Sequence, residues 1–260
     1  GCAAIAYETV TDAQGGLPLL APMSEVAGRI AVFSAGETLL KHNGGMGLLI
    51  SGVPGVPPAR VPVLGGGVVG MNAARMAAGL GAEVVIVERS IPRMRELDNM
   101  FQGRILTRYS TQDAVEEEIL KADVVIGAVL TAGASAPTMI RKADLSRMKP
   151  GSVLVDVSID QGGCFETSRP TTHKDPTYTV DGVVHYCVAN MPGAAPRTSS
   201  EALVHATLPF GLQLADHGLD ALRTNRHLAK GLNVLKGAVT HPAVAEALGK
   251  PFVDAYGAWT

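Results

Sequence analysis

Apolar residues in this chain fall into short unbroken runs and longer runs at helical spacing, and the two kinds alternate. An apolar run opening at residue 61 leads into a glycine turn, then an Ala-rich helical pattern, then a second apolar run that ends at Glu88. Helical spacing near 92–101 and 112–121 flanks a strand pattern near 104–108. Further strands are predicted over 123–130, over 151–159 behind the turn Lys149-Pro150-Gly151, and over 183–191 as the last strand of the sheet. Before all of these, residues 1–23 read as irregular, with a turn at 13–16 and Pro18. Ser24 then caps a helix running to about Leu40, and the segments 42–47 and 48–60 break it with glycine and proline. The C-terminal part is helical from about 198 to 217, with Pro209 kinking or interrupting it, and again over 239–248, with Pro242 near the first turn. Pro62 lacks an N–H for a sheet ladder, so it is expected as the first residue of its strand.

Strand–helix alternation with wholly apolar central strands predicts an α/β fold, a doubly wound parallel Rossmann sheet. Ligands of such sheets sit beyond the carboxyl ends of the strands. Six loops should therefore ring one site: 65–70, Glu88, 109–110, 130–133, 160–163 and 190–192.

The first of these loops carries specific chemistry. Gly65, Gly67 and Gly70 fit G-x-G-x-x-G, and Glu88 follows the last glycine by eighteen residues at the end of the next strand. Gly65 permits the tight turn, Gly67 lets backbone N–H groups approach a pyrophosphate, and Gly70 lets the helix lie close to the strand. Val68 and Val69 open that helix, whose N-terminal N–H groups and dipole favour phosphate. A carboxylate at Glu88 accepts hydrogen bonds from a ribose and repels a 2′-phosphate, which favours NAD over NADP. Arg89 and Arg93 partly offset that repulsion. The bland reading of Glu88 is a solvated residue at a strand end.

Composition narrows the class. The chain has 260 residues, 18% charged, with a net charge of −2, so neither a basic stripe for nucleic acid nor an acidic tail is present. No apolar run reaches membrane-spanning length. Three cysteines, Cys2, Cys164 and Cys187, show no metal-type spacing and fit a reducing cytoplasm, with Cys164 and Cys187 as inert core thiols.

Five blocks, at 17–29, 66–75, 122–130, 158–173 and 185–199, resemble alanine dehydrogenase and, less closely, the transhydrogenase α subunit. The resemblance implies a nicotinamide-binding domain over 24–196. It makes 1–23 a remnant of a substrate domain and 197–260 the helices that return to it, so that the chain termini form a reduced second domain. It also implies cofactor contacts at Ser24, Ser110, Val129, Leu130, Ile159, Asp160, Asn190 and Met191, besides the glycine turn and Glu88. Without it, Ser24 is a helix cap, Val129 and Leu130 are core residues, and 190–192 is a turn.

Asp160 is the candidate for chemistry, since it follows a buried strand and precedes Gln161-Gly162-Gly163. The resemblance places the matching aspartate beside the reacting carbon, where a carboxylate takes up protons and stabilises a cationic imine. Asp156, inside the preceding strand, is expected to be structural. The family's catalytic histidine and its substrate-gripping arginine and lysine lie upstream of the stretch matching Gly1. None of them maps onto His173, His185, His205 or Arg169.

Three functions stay open: an NAD-dependent amino-acid dehydrogenase whose upstream segment is outside this chain; a naturally short form turned to another substrate or to a non-redox cyclisation; and a non-catalytic NAD-binding module. In each, the partners expected are a small molecule and further copies of the chain, because residues 24–41 resemble the family's assembly helix.

Overall fold

The computed structural model describes residues 1–129 and 136–255, which form two compact units, one of residues 1–23 with 196–260 and one of residues 24–195. The chain begins with strand β1 (Ala3–Ile5) and then enters helix α1 (Ala21–Thr38). Ser24 lies inside the first turn of α1 and does not cap it. Pro22 suits a first helical turn, and the Ala21 N–H already bonds the Leu17 carbonyl, so the helix starts earlier than Ser24 predicts.

The larger unit continues through β2 (Arg60–Leu64), α2 (Val68–Gly79), β3 (Glu83–Glu88), α3 (Ile91–Phe101), β4 (Leu106–Tyr109), α4 (Gln112–Lys121) and β5 (Val124–Gly127). After α5 (Lys142–Leu145) come β6 (Val153–Asp156), β7 (Thr177–Val180) and β8 (Val183–Tyr186). These seven strands form one sheet in the order β4-β3-β2-β5-β6-β8-β7. The side-chain period of two splits the core between its faces. Val84 and Ile86 of β3 join Ala31, Val32 and Ala73 from α1 and α2, while Val85 and Val87 join Val115 and Ile119 from α4. Helices therefore cover both faces of a doubly wound sheet.

Two details depart from the sequence reading. The sheet is not wholly parallel: β8 is its last strand in chain order, as the sequence indicates, but β7 lies beyond it at the edge and pairs with it antiparallel, across a turn in which Asp181 (φ 48°) and Gly182 (φ 82°) are both left-handed. Pro62 sits in the middle of β2, not at its start. The strand tolerates it because β2 is paired along its whole length with β3, whereas pairing with β5 begins only at Val63.

The smaller unit takes up the chain again at α6 (Pro196–His217), an uninterrupted helix despite Pro209, followed by α7 (Ala221–Thr224) and α8 (Arg226–Ala229). Then come β9 (Leu232–Leu235), β10 (Ala238–Val239) and α9 (Pro242–Leu248). β9 lies between β1 and β10 in an antiparallel sheet that the sequence reading, which expected helices here, did not foresee. Val10, Leu19, Leu222, Leu228 and Leu232 fill its core.

Candidate active site

Sheet order places a topological switch between β3 and β5, which run parallel on either side of β2. The turn leaving β2 opens at this point. Gly65 has φ +99°, and a Cβ there would meet the Ala128 carbonyl oxygen at 2.6 Å. Gly70 is tighter: its Cβ would fall 1.9 Å from the Gly65 carbonyl oxygen. Gly67 is the opposite case. It caps α2 with no side-chain acceptor, and a Cβ built on it meets nothing within 4 Å. Two glycines thus let the turn pack, while the third leaves open space over the helix N-terminus. That is the arrangement a pyrophosphate needs.

Glu88 and Arg93 brace this turn. Glu88 Oε2 accepts the Gly66 N–H at 2.7 Å, and Oε1 accepts those of Arg89 (2.7 Å) and Ser90 (2.9 Å). Arg93 Nε donates to the Gly66 carbonyl at 2.7 Å. The sequence reading gave Glu88 to a ribose and did not foresee this bracing of the turn, because only coordinates show a glutamate reaching back across its own strand end. Val68 is exposed at the start of α2, and Val69 packs on the core. Ser110 follows β4, its N–H bonded to the Glu88 carbonyl at 3.0 Å.

The remaining loops lie on the same edge of the sheet, since β2 to β6 and β8 all run parallel. Val129 follows β5, and its carbonyl accepts the Ser158 hydroxyl at 2.7 Å. Leu130 falls outside the described residues. After β6 the chain makes a 3-10 turn, Ile159–Gln161, in which Ile159 is buried and Asp160 exposed. After β8, Asn190 adopts a left-handed conformation (φ 57°), and Met191 is buried in the core beneath it. Ile159 and Met191 are thus core side chains, and only their loops lie at this edge of the sheet. His173 Nε2 lies 3.0 Å from the Asn190 carbonyl oxygen and, as its donor, ties that turn down.

The other conspicuous side chains of this unit are structural. His185 is fully buried, with Nε2 at 2.7 Å from Thr167 Oγ1, and burial pushes its pKa down. It stacks on Tyr178, whose ring also meets the Arg169 guanidinium, 3.9 Å from the ring centre. Cys164 and Cys187 are buried, and burial raises both thiols above their ordinary pKa. No cluster of His, Cys, Asp and Glu among the described residues could hold a metal ion, and no helix among them is long and apolar enough to cross a membrane.

Sheet order, helices on both faces and the glycine turn at the switch point define a Rossmann-like α/β domain. The family model "Alanine dehydrogenase/PNT, C-terminal domain" matches residues 31–242, and the chain belongs to this family. It is 62% identical to an alanine dehydrogenase of Halomonas elongata over 98% of its own length and 69% of the relative's. It is 54% identical to that of Mycolicibacterium smegmatis over the same shares of the two chains. A solved L-alanine dehydrogenase superposes with a TM-score of 0.92 at 49% identity, covering 96% of this chain and 69% of that one. A transhydrogenase from Sinorhizobium meliloti superposes at 0.73 with 25% identity, covering 93% and 67%.

Proposed function

We propose that this chain binds NAD(H) along the carboxyl edge of its seven-stranded sheet and takes part in the oxidative deamination of a small amino acid, with L-alanine as the first candidate. The overall reaction is amino acid, NAD+ and water giving 2-oxo acid, ammonium, NADH and a proton. The observation that carries the reading is the open space at Gly67 over a helix N-terminus that lacks a side-chain cap. It lies on the same sheet edge as the exposed carboxylate of Asp160. The pyrophosphate is assigned to Gly65–Gly70, the adenosine ribose to Glu88, with Arg89 and Arg93 flanking it, and the adenine side to Ser110. Ser24, Val129, Ile159, Asn190 and Met191 are assigned to the remainder of the dinucleotide. Bound there, the nicotinamide supplies hydride acceptance and return. Asp160 takes up a proton released from the amino nitrogen or from the attacking water and stabilises cationic character at the nitrogen.

Phe33, 59% exposed on α1, supports association with further copies through that helix, and the buried free thiols support a reducing compartment. Titration of the purified chain with NADH, followed by fluorescence, tests the binding. Formation of NADH from NAD+ and L-alanine tests the chemistry. Failure to bind NADH overturns the whole reading; binding without turnover overturns only the reaction.

A further inference from the structure

Three carboxylates of the described residues are buried in the larger unit, and two of them are ion-paired. Glu118 meets Arg60 and Arg108, and Asp123 meets Lys149 at 2.7 Å. Asp156, at the carboxyl end of β6, is the third and is fully buried. It forms no ion pair among the described residues. Its partners are all neutral: Oδ1 accepts the Ser158 N–H at 3.0 Å and faces Cys164 Sγ at 3.5 Å, while Oδ2 accepts the Cys164 N–H at 2.8 Å and the Ser168 hydroxyl.

This geometry suits the charged form. Each oxygen is met by donors, so a proton of its own would displace one of them. Gly163 (φ +82°) is part of the same arrangement, since a Cβ there would lie 2.8 Å from Oδ2. Burial pushes the Asp156 pKa up, and the donors around it act against that push. A buried carboxylate met only by neutral donors keeps its field: hydrogen bonds hold the charge in place without cancelling it, and the surrounding core screens it weakly.

We propose that Asp156 is a fixed negative charge beneath the 158–163 turn that makes the site favour the cationic, oxidised nicotinamide over the neutral, reduced one. The proposal rests on the reading that this turn borders the nicotinamide end of the site. Asp156 touches neither cofactor nor substrate in this scheme. It is a positioning residue that holds both ends of the Asp160 turn and biases the equilibrium between the two cofactor forms through its charge.

The test compares dissociation constants for NAD+ and NADH, measured by titration calorimetry on the whole chain, so turnover is not needed. D156N keeps the shape and removes the charge. NAD+ affinity is expected to fall about tenfold while NADH affinity stays within about twofold. An equal loss for both forms, or no change in either, would overturn the proposal while leaving the cofactor reading intact. A wild-type chain that binds neither form would take down the cofactor reading and the proposal with it. Should D156N fail to fold, S168A carries the test, because it removes one of the donors that hold the Asp156 carboxyl in its charged form. The preference for NAD+ is then expected to fall about two- to threefold, and an unchanged or increased preference would overturn the proposal.

Discussion

The turn after β2 and the turn after β6 occupy equivalent places at the carboxyl edge of one parallel sheet, yet they are built by different means. The first is shaped by missing atoms: Gly65 and Gly70 let backbone meet backbone, and Gly67 leaves space. The second is shaped by a charge, because both ends of the segment 158–164 hang on Asp156. A turn made by omission is fitted to receive a ligand's phosphates along its backbone. A turn made around a buried carboxylate instead holds a second carboxylate, Asp160, out in the open. The two turns, on strands separated by β5, are thus built by separate devices.

The contrast predicts separable losses. Asp160→Asn keeps the shape of the second turn but not its exposed charge. Turnover is expected to fall by about 10²–10⁴-fold, in the range of a lost acid–base group, with NAD affinity changed by less than about tenfold. Steady-state rates set beside an NADH titration check this, and parallel loss of both would make Asp160 a cofactor-shaping residue.

Gly70→Ala should act on the fold of the first turn, since the added methyl lands on the Gly65 carbonyl. A loss of about 3–5 kcal/mol is expected, read as a lowered midpoint in chemical denaturation. Gly67→Ala separates from it, because its methyl meets no protein atom. Here the melting curve should stay normal while NAD binding weakens about tenfold, or 1.4 kcal/mol. Unchanged affinity would place the cofactor elsewhere.

The smallest effect is expected at Glu88. The wild type should prefer NAD to NADP, and isothermal titration showing equal affinities would remove the ribose assignment. Glu88→Gln loses one of the two acceptor oxygens that hold Gly66, Arg89 and Ser90. That should cost about 1 kcal/mol of stability and narrow the cofactor preference.

What the sequence made legible follows the same division. Continuous apolar runs announced the parallel strands, and a glycine spacing announced the first turn, because omission leaves a pattern in the sequence. Helix α4 runs over Gln112–Lys121, the span its periodicity indicated. The sequence reading took Asp156 for structural, and no local pattern shows that its partners Ser158, Cys164 and Ser168 converge on it. β7 escaped notice because its residues alternate only weakly at an exposed edge, with none fully buried. β1, β9 and β10 escaped for another reason: they are two to four residues long, and β1 pairs with β9 across nearly the whole chain.

That last pairing has a consequence for how the molecule is made. Thr9 Oγ1 bonds Asn233 across 224 residues of sequence, and among the described residues β1 has no sheet partner but β9. During synthesis residues 24–195 have all emerged before β9 is made. Within the described residues β1 then lacks its β9 partner for roughly 40 further residues, a delay of about 2–8 s at ordinary elongation rates. For that interval the larger unit is complete while β1 is not yet paired with β9. Ile5 and Val10 join Leu228 and Leu232 in one core only after that stretch has been translated.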